Sequence, residues 1–494
     1  MNPKKLSAVL IALILAFSLS TVAFAAPVAI DESTTGTIDI TAQNEGDTFA
    51  AYRIVDVTYT AASNSLSYVF DPAVKDFFDS EGLTVAQYSA LVEPTATRTP
   101  ENVQGELAAW IMKPANSVTT TYTGTANSGK TCSISGLPLG QYLVLGTGNA
   151  TSGAYVYQIM TANVVPTIET IGGVETYVLD NVALESKVSQ PTISKTAADD
   201  DNAIVSAYDN INYTITVSVP AYPSYATSRT FTVADSLPDG ISYVTGSLVI
   251  KNAADTQILS GTDFTSGKYA FNYADIAAYA GDTLTLTYQG ILNSTSLDSA
   301  VTNLTNTATL TYSSSPYGSS TSTVTATAAV QTNKFTITKV DSANTETVLP
   351  NAQFDVYAAF TQAQYDNLKT DSGVTAAAGS ALTALGTAPA DTAFYKIGSL
   401  TTDANGQATM HQVEDGTYYL VETKAPSGYS LPSAAFTVTV GTNGAGSADI
   451  SNTSNIILPG TGGAGTVLFT VGGIAILVSA GAFLFLNRKR VFGK

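Results

Sequence analysis

Short runs in which every second residue is apolar recur through the interior of this chain, and that period of two constrains the fold more than any other feature. In Asn212–Val219, Thr283–Tyr288, Thr305–Tyr312 and Phe335–Val340, Thr or another polar residue takes one phase and aliphatic or aromatic residues take the other. A strand with one buried face requires this alternation. Thr, Ser, Val, Tyr and Gly are abundant and turn residues separate the runs, so the expected class is all-β, built as tandem Ig-like sandwiches.

Both ends of the chain depart from the pattern. Lys4 and Lys5 precede an apolar stretch from Leu6 to Leu19, and Ala23-Phe24-Ala25 offers small residues for cleavage. Residues 1–25 therefore read as a signal peptide that sends the chain out of the cell. At the other end, Leu458-Pro459-Gly460-Thr461-Gly462 precedes an uncharged apolar run from Val467 to Leu486, followed by Asn487-Arg488-Lys489-Arg490. Such a run, about 30 Å long as a helix, spans a bilayer, and the basic cluster holds the tail on the cytoplasmic side. Segment 458–494 resembles the LPxTG sorting signal of sortase substrates. The resemblance implies cleavage between Thr461 and Gly462, transfer of the Thr461 carbonyl to an amine, and a secreted, wall-anchored product whose precursor is held in the membrane.

Removing both ends takes six basic residues and no acids, leaving 15 basic residues against 39 acidic ones, a net charge of −24. Nucleic acid is excluded as a partner on that charge. Cys132 and His411 are the sole members of their types, so internal disulfides, zinc sites and Cys/His catalysis are not expected, and no cofactor is. Asp199-Asp200-Asp201-Asn202 lacks EF-hand spacing and reads as a solvated turn. An exported chain of this size without disulfides needs another means of stabilisation.

Composition and turn signals divide the mature chain into an N-terminal domain over 27–187, with a helix-compatible insertion from Pro72 to Lys113, a middle domain over 188–330, and a C-terminal domain over 331–457. The Ala-rich stretch Thr375–Ala390 reads as a surface excursion with some helix.

Two lysines occupy the apolar phase of their strands. Phe335, Ile337 and Lys339 share one face, and Glu422 is in phase with Tyr418 and Leu420, as Asn452 is with Ile450. In the middle domain Lys195 is in phase with Ile193, Asp235 with Phe231 and Val233, and Asn306 with Ala308 and Leu310. Burial of an ammonium is costly, so each amine must be paired, neutralised or consumed. Spacing alone leaves two outcomes open: a buried ion pair, or attack of a neutral amine on the Asn carboxamide, promoted by the acid, to give a Lys–Asn isopeptide bond.

Tyr418-Tyr419-Leu420-Val421-Glu422-Thr423-Lys424-Ala425-Pro426-Ser427-Gly428-Tyr429 resembles the E-box, YxLxETxAPxGY, of CnaB-type domains in sortase-assembled pilins. Asn351-Ala352-Gln353-Phe354 resembles the family's GAxF strand, with Asn in place of Gly. Phe231-Thr232-Val233-Ala234-Asp235-Ser236-Leu237-Pro238-Asp239-Gly240 is similar to the middle-domain motif of backbone pilins. The resemblance implies Lys339–Asn452 and Lys195–Asn306 bonds, promoted by Glu422 and Asp235. Asn455 and Asn303 are rival amides out of phase with the core. The N-terminal domain has neither an in-phase lysine in Thr37–Thr41 nor a glutamate at Gly146, so no bond of this type is expected there.

Lys187 falls opposite the apolar phase of Val182, Leu184 and Val188, at a domain junction. In backbone pilins a lysine at this junction, in a motif like VYPKN, accepts the sortase-bound Thr; here Glu185-Ser186 stands in place of Tyr-Pro. The implied role is the shaft subunit of a covalent pilus, a sortase substrate and not itself an enzyme. Its partners would be sortases, identical subunits, minor pilins, peptidoglycan and a host surface ligand. The alternative is a monomeric wall-anchored adhesin or a basal pilin.

Overall fold

The computed structural model describes residues 28–90, 99–119, 122–149, 153–198, 204–223, 225–260, 262–292, 302–368, 372–441, 444–455 and 464–491. The expected signal peptide, the Leu458–Gly462 motif and the Asp199–Asn202 turn lie outside these residues. The described chain is mostly strand and divides at Gln331/Thr332 into two compact units.

In the N-terminal part of the first unit, Thr35–Thr41 lies between Thr131–Pro138 and Val182–Glu185 in one sheet. Thr48–Thr60 is central in a second sheet with Gly140–Thr147. Ile38, Ile40, Ile134, Phe49, Tyr142 and Val144 fill the space between the sheets. The second sheet is also covered on its other face, by the helices Lys75–Ser80, Val85–Ala90 and Pro100–Ile111. This is why Tyr142, Leu143 and Val144 are all fully buried, where a strand with one solvent face would alternate. Pro100–Ile111 begins at an N-cap, Thr99, whose side chain accepts from Asn102 N, with Pro at the first helical position. It buries Val103, Leu107 and Ile111 at helical spacing.

The rest of the first unit is a sandwich. One sheet runs Ile193–Ala198, Ile211–Ser218, Thr283–Leu292, Val249–Asn252, and the other pairs Phe231–Ser236 with Thr302–Ser313. Ile211, Tyr213, Ile215 and Val217 are buried while the intervening residues are not, as the alternation predicts. A boundary near Val188 was expected, yet both parts form one compact unit because side chains cross that boundary. Val156 joins the middle core and Tyr317 the helical one. Tyr312 OH donates to Ala154 O at 2.6 Å, and Ala154 N donates to Ser322 Oγ at 3.1 Å.

The second unit is another sandwich, with Gln353–Phe360 between Ala393–Thr401 and Gly416–Lys424 in one sheet. In the other sheet the end of Thr321–Asp341 pairs antiparallel with Gln407–Val413 and parallel with Ala445–Asn452. The Ala-rich stretch holds a short strand, Thr375–Ala376, and a helix, Ser380–Leu385. Asn351 has φ +63°, which explains why Asn replaces Gly: it is among the few L-residues that tolerate the left-handed region. Ala464–Val491 is a helix, and its segment Phe469–Leu486 is long and apolar enough to cross a membrane, with none of it buried against protein.

Candidate functional site: two buried lysine clusters and a surface lysine

Lys339 is held between the strand Ala445–Asn452 and the backbone at Gly406 and Leu349. Its N–H donates to Gly406 O and its carbonyl accepts from Leu349 N, both at 2.7 Å, so the backbone is clamped on each side. Parallel pairing sets Lys339 opposite Ile450 and Asp341 opposite Asn452, bringing the Asn452 side chain back over the lysine. Glu422 reaches in from the facing sheet, opposite Phe354. All three are buried, and Lys339 has no measurable exposure. Lys339 Nζ donates to Asn452 Oδ1 and, at 3.1 Å, to Ile450 O. Asn452 Nδ2 donates to Glu422 Oε1 at 2.9 Å, and Glu422 Oε2 lies 3.7 Å from the amine. Burial lowers the Lys339 amine to about 8, with Glu422 opposing the shift, and burial raises the Glu422 carboxyl. A neutral amine therefore becomes accessible next to a carboxamide whose nitrogen is already held by an acid. Asn455, the rival amide, is exposed and bonded to Ser430 Oγ.

The middle sandwich brings its lysine, acid and amide together across its two sheets. Lys195 comes from the first sheet; Asp235 and Asn306 come from adjacent strands of the second, where Asp235 pairs with Ala308. Lys195 Nζ donates to Asp235 Oδ1 at 2.5 Å, and both side chains are almost completely inaccessible. Burial lowers the Lys195 amine against the opposing pull of Asp235.

The geometry departs from expectation at the amide. Among the described residues Asn306 has no hydrogen bond to Asp235 or Lys195; it donates to Tyr288 OH at 2.8 Å. Tyr288 in turn donates to Asp235 Oδ2 at 2.6 Å and accepts from Lys195 Nζ at 2.7 Å. Asn306 Oδ1 is buried without a partner. Sequence reasoning missed Tyr288 although a signal was present. It lies in the apolar phase of Thr283–Leu292 behind Leu284 and Leu286, and a buried phenol needs a polar neighbour. The side chain of Asn303 is outside the described residues.

In the N-terminal part, Ile38 and Ile40 are buried where the other domains carry a lysine, and Gly146 packs against aromatic rings. A Cβ at Gly146 would sit 2.8 Å from Tyr157 and 2.9 Å from Phe49, so a glutamate has no room. Asp47 is buried there, but Asn44 N, Asn149 N and Tyr157 OH all donate to it.

Lys187 is exposed, unlike Lys195 and Lys339. Its backbone is fixed between Val182–Glu185 and Val188–Ser189, with its carbonyl accepting from Gln158 N at 2.9 Å. The neighbouring Ser186 Oγ accepts from Gln43 Nε2 at 3.2 Å.

Residues 333–454 match the SpaA domain of prealbumin-like fold, and residues 451–491 match the LPXTG cell wall anchor motif. No curated protein matches the chain. Among solved structures, the T6 backbone pilin of serotype M6 Streptococcus pyogenes superposes with a TM-score of 0.56 at 19% identity, over 83% of this chain and 81% of that one. The full-length major pilin SpaD of Corynebacterium diphtheriae gives 0.50 at 19% identity, over 86% and 99%. The chain thus carries a cell-wall anchor and a SpaA domain on a fold shared with Gram-positive major pilins.

Proposed function

We propose that this chain is the shaft subunit of a covalent pilus, in which sortase cleaves after Thr461 and joins its carbonyl to the Lys187 amine of the next subunit. The observation that carries this reading is the contrast among the lysines. Lys195 and Lys339 are enclosed with an acid and an amide, whereas Lys187 is exposed on a backbone fixed from both sides. An enclosed amine cannot reach another molecule, and an exposed one can. Repetition of a single head-to-tail contact that does not close on itself gives an open fibre.

Within each subunit, Lys195 would bond to Asn306 and Lys339 to Asn452, with Asp235 and Glu422 promoting the reactions and one ammonia leaving per bond. These bonds would supply the stabilisation that disulfides give other exported proteins. The polymerisation reading is tested by Lys187→Arg in cells making the pilus. Loss of the high-molecular-weight ladder on denaturing gels, with monomer still anchored to the wall, is expected. Persistence of the ladder would assign the acceptor to another lysine.

A further inference from the structure

The two lysine clusters differ in how the acid reaches the amide. Glu422 touches the nitrogen of Asn452 directly at 2.9 Å. Asp235 and Asn306 have no hydrogen bond between them, and the hydroxyl of Tyr288 fills the gap, 2.6 Å from the carboxylate and 2.8 Å from the amide nitrogen. We propose that Tyr288 is a catalytic acid for the middle domain, passing a proton from Asp235 to the departing nitrogen of Asn306 as Lys195 closes on the amide. This role rests on the Lys195–Asn306 bond proposed above.

The proton path is continuous in the structure. Lys195 gives a proton to Asp235, and its neutral Nζ attacks Asn306 Cγ, placing the carbonyl electron pair on Oδ1. Tyr288 protonates Nδ2 and is reprotonated by Asp235. The oxyanion pair returns, the Cγ–Nδ2 bond breaks and ammonia leaves. Asp235 then takes the surplus proton from the new amide nitrogen and yields it to ammonia. The overall change converts an ammonium and a carboxamide into a secondary amide and an ammonium ion, with carboxylate and phenol restored.

Tyr288 is also held for this work. Its ring stacks on Tyr213 at 5.1 Å with an interplanar angle of 16° and meets Phe264 edge-on at 5.3 Å. Burial, reinforced by Asp235, keeps the phenol protonated far above its ordinary range, so it acts as a donor. Tyr213 provides the comparison, because its buried hydroxyl lies beside Asn306 but has no hydrogen bond to Asp235 and so cannot relay its proton.

The test follows bond closure over time in the refolding full chain, reading the Lys195–Asn306 and Lys339–Asn452 crosslinked peptides separately by mass spectrometry. Tyr288→Phe should slow the first by about 100-fold, the scale of general acid catalysis, and leave the second unchanged. Tyr213→Phe should close both at the wild-type rate. 3-Fluorotyrosine at 288, which keeps shape and hydroxyl but is more acidic, should close the first bond at a rate different from wild type and the second at the wild-type rate. Wild-type closure in Tyr288→Phe, equal slowing in Tyr213→Phe, or an unchanged rate with 3-fluorotyrosine would each overturn the proposal. Absence of the first peptide from wild type would reject the bond itself, and a wild-type rate in Asp235→Asn would reject its assigned promoter and with it the relay.

Discussion

Replacing Lys339 with Met tests the C-terminal crosslink with little change of side-chain volume. Lys339 and Asn452 are 113 residues apart, and the chain-entropy model assigns a crosslink across such a loop about 4.8 kcal/mol at 25 °C. Met brings no compensating relief, because in the bonded protein the amine is already a neutral amide. The expected loss is therefore about 5 kcal/mol. For a domain of about 120 residues, with an unfolding entropy near 0.25 kcal/mol/K, it lowers the melting temperature by about 20 °C. Calorimetry of the exported chain measures the loss, and intact mass shows one ammonia, about 17 Da, retained relative to the crosslinked protein after correction for the substitution. An unchanged number of ammonia losses, or a stability change below about 1 kcal/mol, would refute the reasoning.

Three further outcomes follow from the same geometry. In Asn452→Ala the Lys339 amine stays free, with a folded value of about 8 against 10.5 for the ordinary side chain. The unfolded chain then binds more protons between those values, so stability should rise with pH across that window by roughly 3 kcal/mol. Glu422, shifted upward, acts in the opposite sense at lower pH; urea titrations compared with Asn452→Ala/Lys339→Met isolate the lysine, and a flat difference between pH 8 and 10.5 would contradict its burial as an amine. At Asn351, with φ +63°, Ala should cost about 1 kcal/mol and Gly almost nothing, and equal melting temperatures for the two variants would remove the conformational explanation. Gly146→Ala should destabilise the first unit by about 1–3 kcal/mol through overpacking against Tyr157 and Phe49, an effect that thermal unfolding resolves from the second unit.

Much of the fold was legible because alternation in a sandwich strand is enforced by burial of one face. The same rule correctly turned Lys195, Lys339, Asp235, Glu422, Asn306 and Asn452 inward and Lys187 outward. Two features escaped it. Tyr142–Val144 is buried without alternation because helices cover the second face of its sheet, and covering of that kind depends on contacts distant in sequence. Tyr288 was missed because a tyrosine in an apolar phase looks like any core aromatic; only the crossing of two sheets puts its hydroxyl between Asp235 and Asn306. The grouping of the first two domains likewise rests on contacts distant in sequence, Val156 one way, Tyr317 the other and the Tyr312–Ala154–Ser322 hydrogen bonds among them, which no local pattern marks.

The position of Lys187 along the chain has a mechanical consequence. In a fibre linked from Thr461 to Lys187, tension enters at residue 187 and leaves at 461, and the Lys195–Asn306 and Lys339–Asn452 bridges would carry it past most of the intervening polypeptide. Residues 28–186 would then precede the point of attachment and lie outside the covalent path between the two linkages. That is the part of the molecule where Ile38 and Ile40 stand in place of a lysine and aromatic rings crowd Gly146: residues off that path would bear no stretching force and have no need of a rivet.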